Sequence, residues 1–153
     1  MSGPLRMRRD LTRPFPEPVW PDGIVLVPFS ETMAEELHAV MLDGYAPNGH
    51  AVPPYADWRA RLLSDPEYDA ELIFVAQAAD GGLVGLAHCW NSGFLKDLVV
   101  APDWRRRGIG EALLLRSFEA CRNRYHPHLD LKVDRANESA IRFYKKRGMV
   151  PLQ

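Results

Sequence analysis

Residues 93–133 constrain this chain more than any other stretch. "GFLKDLVVA" (93–101) is a strand pattern, residues 108–125 carry Leu114, Phe118 and Cys121 on one helical face, and "HLDLKV" (128–133) alternates like a strand. Two strands joined through one helix are expected to lie parallel, by a right-handed crossover. That makes the domain a mixed α/β (α+β) structure, and the preceding pattern fits. "GIVLVPF" (23–29) is a short β-branched strand; Ser30 opens a helix over 31–45, with acidic residues in its first turn and Gly44 near its end. "APNGHAVPP" (46–54) is a loop, and 55–64 is a second helix entered from Pro53-Pro54. The apolar runs 71–80 and 83–92 flank Gly81-Gly82, a hairpin signal, and 137–148 is a helix with an Asn137 cap and a Gly148 stop. The order is β-α-α-β-β-β-α-β-α.

Residues 1–22 hold five prolines and show no helix or strand period. They are expected to form an extended arm pinned by Phe15 and Trp20, leaving 23–153 as one domain. A chain of 153 residues, 46% hydrophobic and 25% charged, suffices for one core. No apolar run approaches the ~20 residues of a membrane span. The pair Arg8-Arg9 is followed by polar, proline-rich sequence, which argues against an export signal. Cys89 and Cys121 are expected to be buried free thiols of a cytoplasmic protein. No Cys/His cluster has metal-ligand spacing, and His126 and His128 flank a proline in an expected surface turn.

The charge is uneven. Residues 1–100 hold 7 Lys and Arg against 14 Asp and Glu, a balance of −7, while residues 101–153 hold 12 against 6, a balance of +6. The basic third implies an anionic partner there, and the acidity of the rest favours a small anion over nucleic acid. The corner "RRRGIG" (105–110) shows where that anion would sit. Free N–H groups and the positive dipole end meet at a helix start, and glycines let an anion reach the bare backbone. Two rival phosphate motifs fail: a dinucleotide G-x-G-x-x-G would need glycine where Leu113 stands, and no G-K-[ST] exists.

"DLVVAPDWRRRGIGEALL" and "NESAIRFYKKRGM", in this order and separated by a helix and a strand, resemble the acetyl-CoA signature and the downstream motif of the GNAT N-acetyltransferase superfamily. The resemblance covers residues 23–150 and implies the GNAT fold, a mixed central sheet with flanking helices. It implies acetyl transfer from acetyl-CoA, without a metal, to a small-molecule or peptide amine. By that likeness Arg105 fills the Q/R position. The corner Arg106, Arg107, Gly108, Ile109, Gly110 and Glu111 binds the pyrophosphate. Main-chain groups of Leu98, Val99 and Val100 pair with pantetheine, and Asn137 reaches its arm. Tyr144 is the acid that protonates the departing thiolate; its alternative reading is a core residue beside Ile141. Lys132 stands where some relatives carry a glutamate base. Asp97 is therefore the candidate base, directly or through water, and His88 comes second. The acceptor cleft is expected between the first two helices, where Tyr45, His50, Tyr55 and Trp58 are candidates either for its lining or for plain packing. A non-catalytic acyl-CoA-binding module is the rival reading.

The resemblance also raises a problem. Such domains usually continue with two more strands, the last lying antiparallel beside the strand equivalent to 128–133, and only "MVPLQ" follows Gly148. The C-terminal strands are thus expected to be shortened. Either 149–153 pairs in parallel with 128–133, or a second subunit covers that edge with its N-terminal arm, as a homodimer.

Overall fold

The computed structural model describes residues 3–152. Its strands are β1 (Leu5–Asp10), β2 (Ile24–Pro28), β3 (Ile73–Ala78), β4 (Leu83–Trp90), β5 (Phe94–Val100), β6 (His128–Val133) and β7 (Val150–Pro151). Its helices are α1 (Ala34–Tyr45), α2 (Tyr55–Ser64), α3 (Ile109–Asn123) and α4 (Glu138–Lys146). The strands form one sheet in the order β2-β3-β4-β5-β6-β1-β7. Neighbours run antiparallel except β5 and β6, which are parallel across the α3 crossover. The mixed α/β reading holds.

The interior strand β4 is buried along Leu83–Cys89, which explains its near-continuous apolar run. On one face α3 sinks Leu113, Leu114 and Phe118 into a core with Phe74, Ala87, Leu95 and Leu129. On the other face α1 and α2 contribute Leu37, Met41, Trp58 and Leu62, packed against Ile73, Val75, Leu86 and Val99. Turn chemistry closes the elements as the residue types dictate. Gly81 takes φ +91° in the β3–β4 hairpin. Asn137 caps α4 by accepting from the Ala140 N–H at 3.2 Å. At the other end of α4, Gly148 N–H donates to Lys145 O at 3.0 Å and Met149 N–H to Tyr144 O at 3.1 Å.

The N-terminal segment departs from the expected arm. Leu5–Asp10 is a strand of the sheet, antiparallel to β6 from Leu5↔Val133 to Asp10↔His128. The period of two is present: Leu5, Met7 and Leu11 join the α3-side core, while Arg6 and Arg8 lie on the opposite face and clamp the buried Asp130 carboxylate at 2.8–2.9 Å. Arg9 hides the pattern by putting a charge at an inward position. Its guanidinium donates to the Arg147, Asp10 and Pro14 carbonyls at 3.1, 2.7 and 3.0 Å, and lies over the Phe15 and Phe118 rings.

This strand also corrects both expectations for the exposed edge. β7 pairs with β1 rather than with β6, through Met7↔Pro151 and Arg8↔Val150. The chain's own N-terminal strand fills the position beside β6, so a second subunit is not needed to complete the sheet there. Phe15 and Trp20 pack against the same chain's core.

Candidate active site

The site begins where β5 and β6 part. They share one bridge, Phe94↔Asp130, and the Asp130 N–H donates to Gly93 O at 3.2 Å. Beyond it the strands diverge, and a cleft of about 1090 Å³ opens between Leu98–Val100 of β5 and Leu131–Val133 of β6. Strand alternation decides what β5 offers to it. The Ala101 N–H donates to Val84 O of β4 at 2.8 Å. By alternation Val99 also turns its main-chain groups to β4, and those of Leu98 and Val100 face the gap. Val99 contributes instead through its side chain, buried against Gly44.

The corner closes one end of the cleft. Arg106 has φ +63° and Gly108 φ +91°, both left-handed, and together they turn the chain into α3. From Arg106 to Glu111 no backbone N–H donates to a backbone acceptor among the described residues; the ladder starts with Ala112 N–H to Gly108 O at 3.1 Å. Five of these six residues, Arg106 and Gly108 to Glu111, line the cleft at the positive end of the α3 dipole. A Cβ on Gly110 would lie 3.6 Å from Val100 Cγ2, an ordinary contact, so the fold itself tolerates a small side chain there. The three arginines divide. Arg105 donates to Gly44 O at 2.7 Å and Val100 O at 3.3 Å, and so braces α1 against β5. Arg107 lies 4.6 Å over the Trp104 ring. Arg106 lines the cleft.

α4 supplies the opposite wall with Asn137, Phe143 and Tyr144. Asn137 spends its side-chain carbonyl on the cap and keeps its amide N–H groups. The Tyr144 ring packs edge-on to Phe143 at 5.4 Å. Burial first, and then the negative charge of Asp97, push its phenol up to about 12. It is a proton donor throughout the neutral range.

Asp97 reaches this region through a bulge. His88 pairs with Asp97 and Cys89 with Leu95, which leaves Lys96 as the extra residue of β5. The bulge turns Asp97 to the α1 face while Leu95 enters the α3 core. Asp97 Oδ1 accepts from the Tyr45 hydroxyl at 2.7 Å, and Oδ2 lies 3.5 Å from Lys96 Nζ and 3.9 Å from His88 Nδ1. Burial pushes the Asp97 carboxyl up, but His88, Lys96 and Tyr45 outweigh it and hold it below the usual carboxylate range. Burial, followed by Asp97, drives the Tyr45 phenol far above its ordinary value.

Gly44 makes this contact possible. It lies within the last turn of α1, and a Cβ there would overlap Val99 Cγ1. Of the expected acceptor-side residues, Tyr45 and His50 line the main cleft, their rings tilted by 45° with centroids 4.3 Å apart. Trp58 lines a second cavity of about 360 Å³ between α2 and β4–β5, which also holds His50, His88 and Asp97. Tyr55 packs against His38 and Trp58 and lines neither. Sequence reasoning misses the Tyr45–Asp97 bond and the second cavity, because both depend on the bulge and carry no local signal. Among the described residues no group of three or more His, Cys, Asp or Glu is placed to hold a metal ion, and no helix is long and apolar enough to cross a membrane.

Residues 31–149 match the model of the Acetyltransferase (GNAT) family. A mycothiol acetyltransferase of Thermobispora bispora is 32% identical over 157 residues, which take in 94% of this chain and 52% of that protein. The peptidyl-lysine N-acetyltransferase YiaC of Escherichia coli is 42% identical over 69 residues, 45% of this chain and 44% of that protein. Among solved structures, a GCN5-related N-acetyltransferase from Sphaerobacter thermophilus superposes with a TM-score of 0.83 at 26% identity, covering 99% of this chain and 50% of that one. The chain spans about half the length of the mycothiol acetyltransferase and of the Sphaerobacter protein.

Proposed function

The chain belongs to the GNAT acetyltransferase family, and from that premise we propose that it transfers the acetyl group of acetyl-CoA to a primary amine by direct attack in a ternary complex. The observation that carries this reading is the continuity of the cleft. Arg106 and Gly108–Glu111 of the corner, whose N–H groups have no backbone acceptor, the gap-facing strand residues Leu98 and Val100, and Tyr144 line one space. The corner binds the pyrophosphate, with Arg106 and Arg107 beside it and Arg105 bracing its frame. Pantetheine lies along β5 as an added strand, and the Asn137 amide reaches its arm. A gap-facing N–H of β5 polarises the thioester carbonyl. Tyr144 gives its proton to the sulfur as the C–S bond breaks.

The acceptor enters from the α1–α2 side, where the ionised Asp97 supplies the base side of the reaction. The mycothiol and peptidyl-lysine acetyltransferases it resembles support an acceptor that is a small molecule or a peptide amine. The buried free thiols of Cys89 and Cys121 suit a reducing compartment, the cytoplasm. Lys132, in place of a glutamate, favours the second reading, a module that binds acyl-CoA without turnover. An amine library assayed for release of CoA thiol separates the two. Thiol release with any amine establishes transfer; acetyl-CoA binding with no release from any amine establishes the binding module.

A further inference from the structure

Two lysines stand on opposite lips of the cleft. β5 and β6 run parallel and part beyond the Phe94↔Asp130 bridge. Lys96 and Lys132 each lie two residues past that bridge, one on either strand. Both line the main cleft, and Lys96 lines the second cavity as well. Leu95 on β5, and Leu131 and Val133 on β6, enter the α3-side core, so alternation turns Lys96 and Lys132 to the α1 face, where the acceptor is proposed to enter. The charge around them is poorly matched. Arg6 is the register partner of Lys132 across β1, and like charges directly opposite one another destabilise a sheet. The nearby carboxylates are engaged. Asp130 is held by Arg6 and Arg8 at 2.8–2.9 Å. Asp97 is buried and accepts from Tyr45, and its ion pair with Lys96 is 3.5 Å long. Asp134, on the rim, accepts from the Ala136 N–H at 2.9 Å. Lys132 is exposed and has no ion-pair partner among the described residues.

We propose that Lys96 and Lys132 form a subsite for a carboxylate on the acceptor, so that the favoured substrates are amines that also carry an acid group. The proposal rests on the acetyl-transfer reading above and names its substrate class. Two cations on facing lips repel each other, and an anion seated between them removes that cost. The same pair disfavours polyamines, because specificity is a difference of affinities and a second ammonium would meet like charge. A glutamate at position 132 would repel the carboxylate that a lysine holds. Acetyl-CoA does not compete for this subsite, since the Arg106–Glu111 corner opens α3, which packs on the other face of the sheet.

The probes are straight-chain ω-amino carboxylates, from glycine to 6-aminohexanoate, each paired with its primary amide. At saturating acetyl-CoA, wild type should show a higher kcat/KM for the carboxylate of at least one pair, and added salt should shrink that preference. Lys132→Glu should lower the carboxylate-to-amide ratio by about tenfold or more, with the loss in KM rather than kcat. Comparing the ratio between proteins cancels the difference in amine basicity within a pair. Lys146→Glu changes the net charge equally on α4, lines neither cavity, and should keep the wild-type ratio. A second readout needs no turnover. With CoA present, the N-acetylated carboxylate should shift the side-chain NMR signals of Lys96 and Lys132, and the N-acetylated amide should not. Shifts of this kind in a protein that acetylates no amine overturn the transfer reading and leave the anion subsite standing. Equal kcat/KM within every pair, a ratio that Lys132→Glu leaves within about twofold of wild type, or lysine signals that respond alike to carboxylate and amide overturn the subsite.

Discussion

The Tyr45 hydroxyl donates 2.7 Å to Asp97 Oδ1, tying the last residue of α1 to a buried carboxylate on β5. A hydrogen bond to a buried charge contributes about 1.5–3 kcal/mol, so Tyr45→Phe should lower stability by that amount near neutral pH. Burial acts to raise the Asp97 carboxyl, yet His88, Lys96 and Tyr45 hold it below its unfolded value. Its ionic contribution is therefore fully present above the unfolded value of about 3.9, and is lost as pH falls through the lower folded value. Asp130 shifts the same way, its burial outweighed by Arg8 and Arg6. Urea midpoints should drop for wild type below pH ~4. Tyr45→Phe should start lower and lose less over that window. Equal midpoints near neutral pH would show that the bond contributes nothing.

Gly44 tests the same junction sterically. Alanine has the higher helix propensity by about 0.8–1.0 kcal/mol, so a solvent-facing glycine here would gain from the change. Its Cβ would instead overlap Val99 Cγ1 and push α1 away from the strand, while Arg105 still grips Gly44 O. Overpacking of this kind costs about 1–3 kcal/mol, and Gly44→Ala should melt lower than wild type. A higher melting temperature would mean that α1 and β5 are not in close contact.

How legible was all this beforehand? The elements from β2 to α4 can be read from the chain because each carries a local pattern, a cap or a turn pair. The RRRGIG corner is legible because the chemistry of an anion on bare backbone is local as well. β1 is not, because Arg9 interrupts its alternation and its acceptors, the carbonyls of Arg147, Asp10 and Pro14, are known only after folding. Gly44 is legible only as a glycine near a helix end, and its close packing against Val99 is known only after folding. Asp97 is identifiable as a candidate, but its partners Tyr45 and His88 arrive from α1 and β4, and one extra residue in β5 decides that it meets them.

At the corner, the space around Gly110 separates folding from binding. A Cβ would meet only Val100 Cγ2 at 3.6 Å and Phe143 Cζ at 3.7 Å, so Gly110→Glu should fold. It would put a carboxylate among the free N–H groups that are proposed to bind the pyrophosphate. Acetyl-CoA affinity should fall by at least tenfold, equivalent to about 1.4 kcal/mol. Gly108 has φ +91°, so Gly108→Ala should weaken binding through backbone strain and also lower stability. If both variants stay folded and titrate like wild type in the calorimeter, the corner is not the cofactor site.

Tyr144→Phe removes one hydroxyl and keeps the ring against Phe143. Loss of a general acid lowers kcat by about 10²–10⁴-fold, and acetyl-CoA affinity should hardly change. Burial and then Asp97 raise the phenol to about 12, so Tyr144 should produce no basic limb in the pH profile until near that value. Single-turnover rates of the two proteins with one acceptor check this directly. An unchanged rate of the chemical step would remove Tyr144 from the mechanism.

Met7 decides whether residues 5–10 belong to the core or merely lie on it. Its side chain is 0% exposed, on the inward face of β1 with Leu129 and Leu131 in the same cluster. A residue in a loosely attached arm could be truncated with a loss within ~0.5 kcal/mol. A fully buried methionine truncated to alanine leaves a cavity and costs about 2–5 kcal/mol. Met7→Ala should therefore behave like Leu114→Ala in the centre of α3 and unlike Val19→Ala, whose side chain is largely exposed. Denaturant unfolding of the three variants makes the comparison, with an unchanged m-value indicating that only the native state has been weakened. If Met7→Ala groups with Val19→Ala, the pairing of β1 with β6 does not hold in solution, and the edge of β6 is open to another chain.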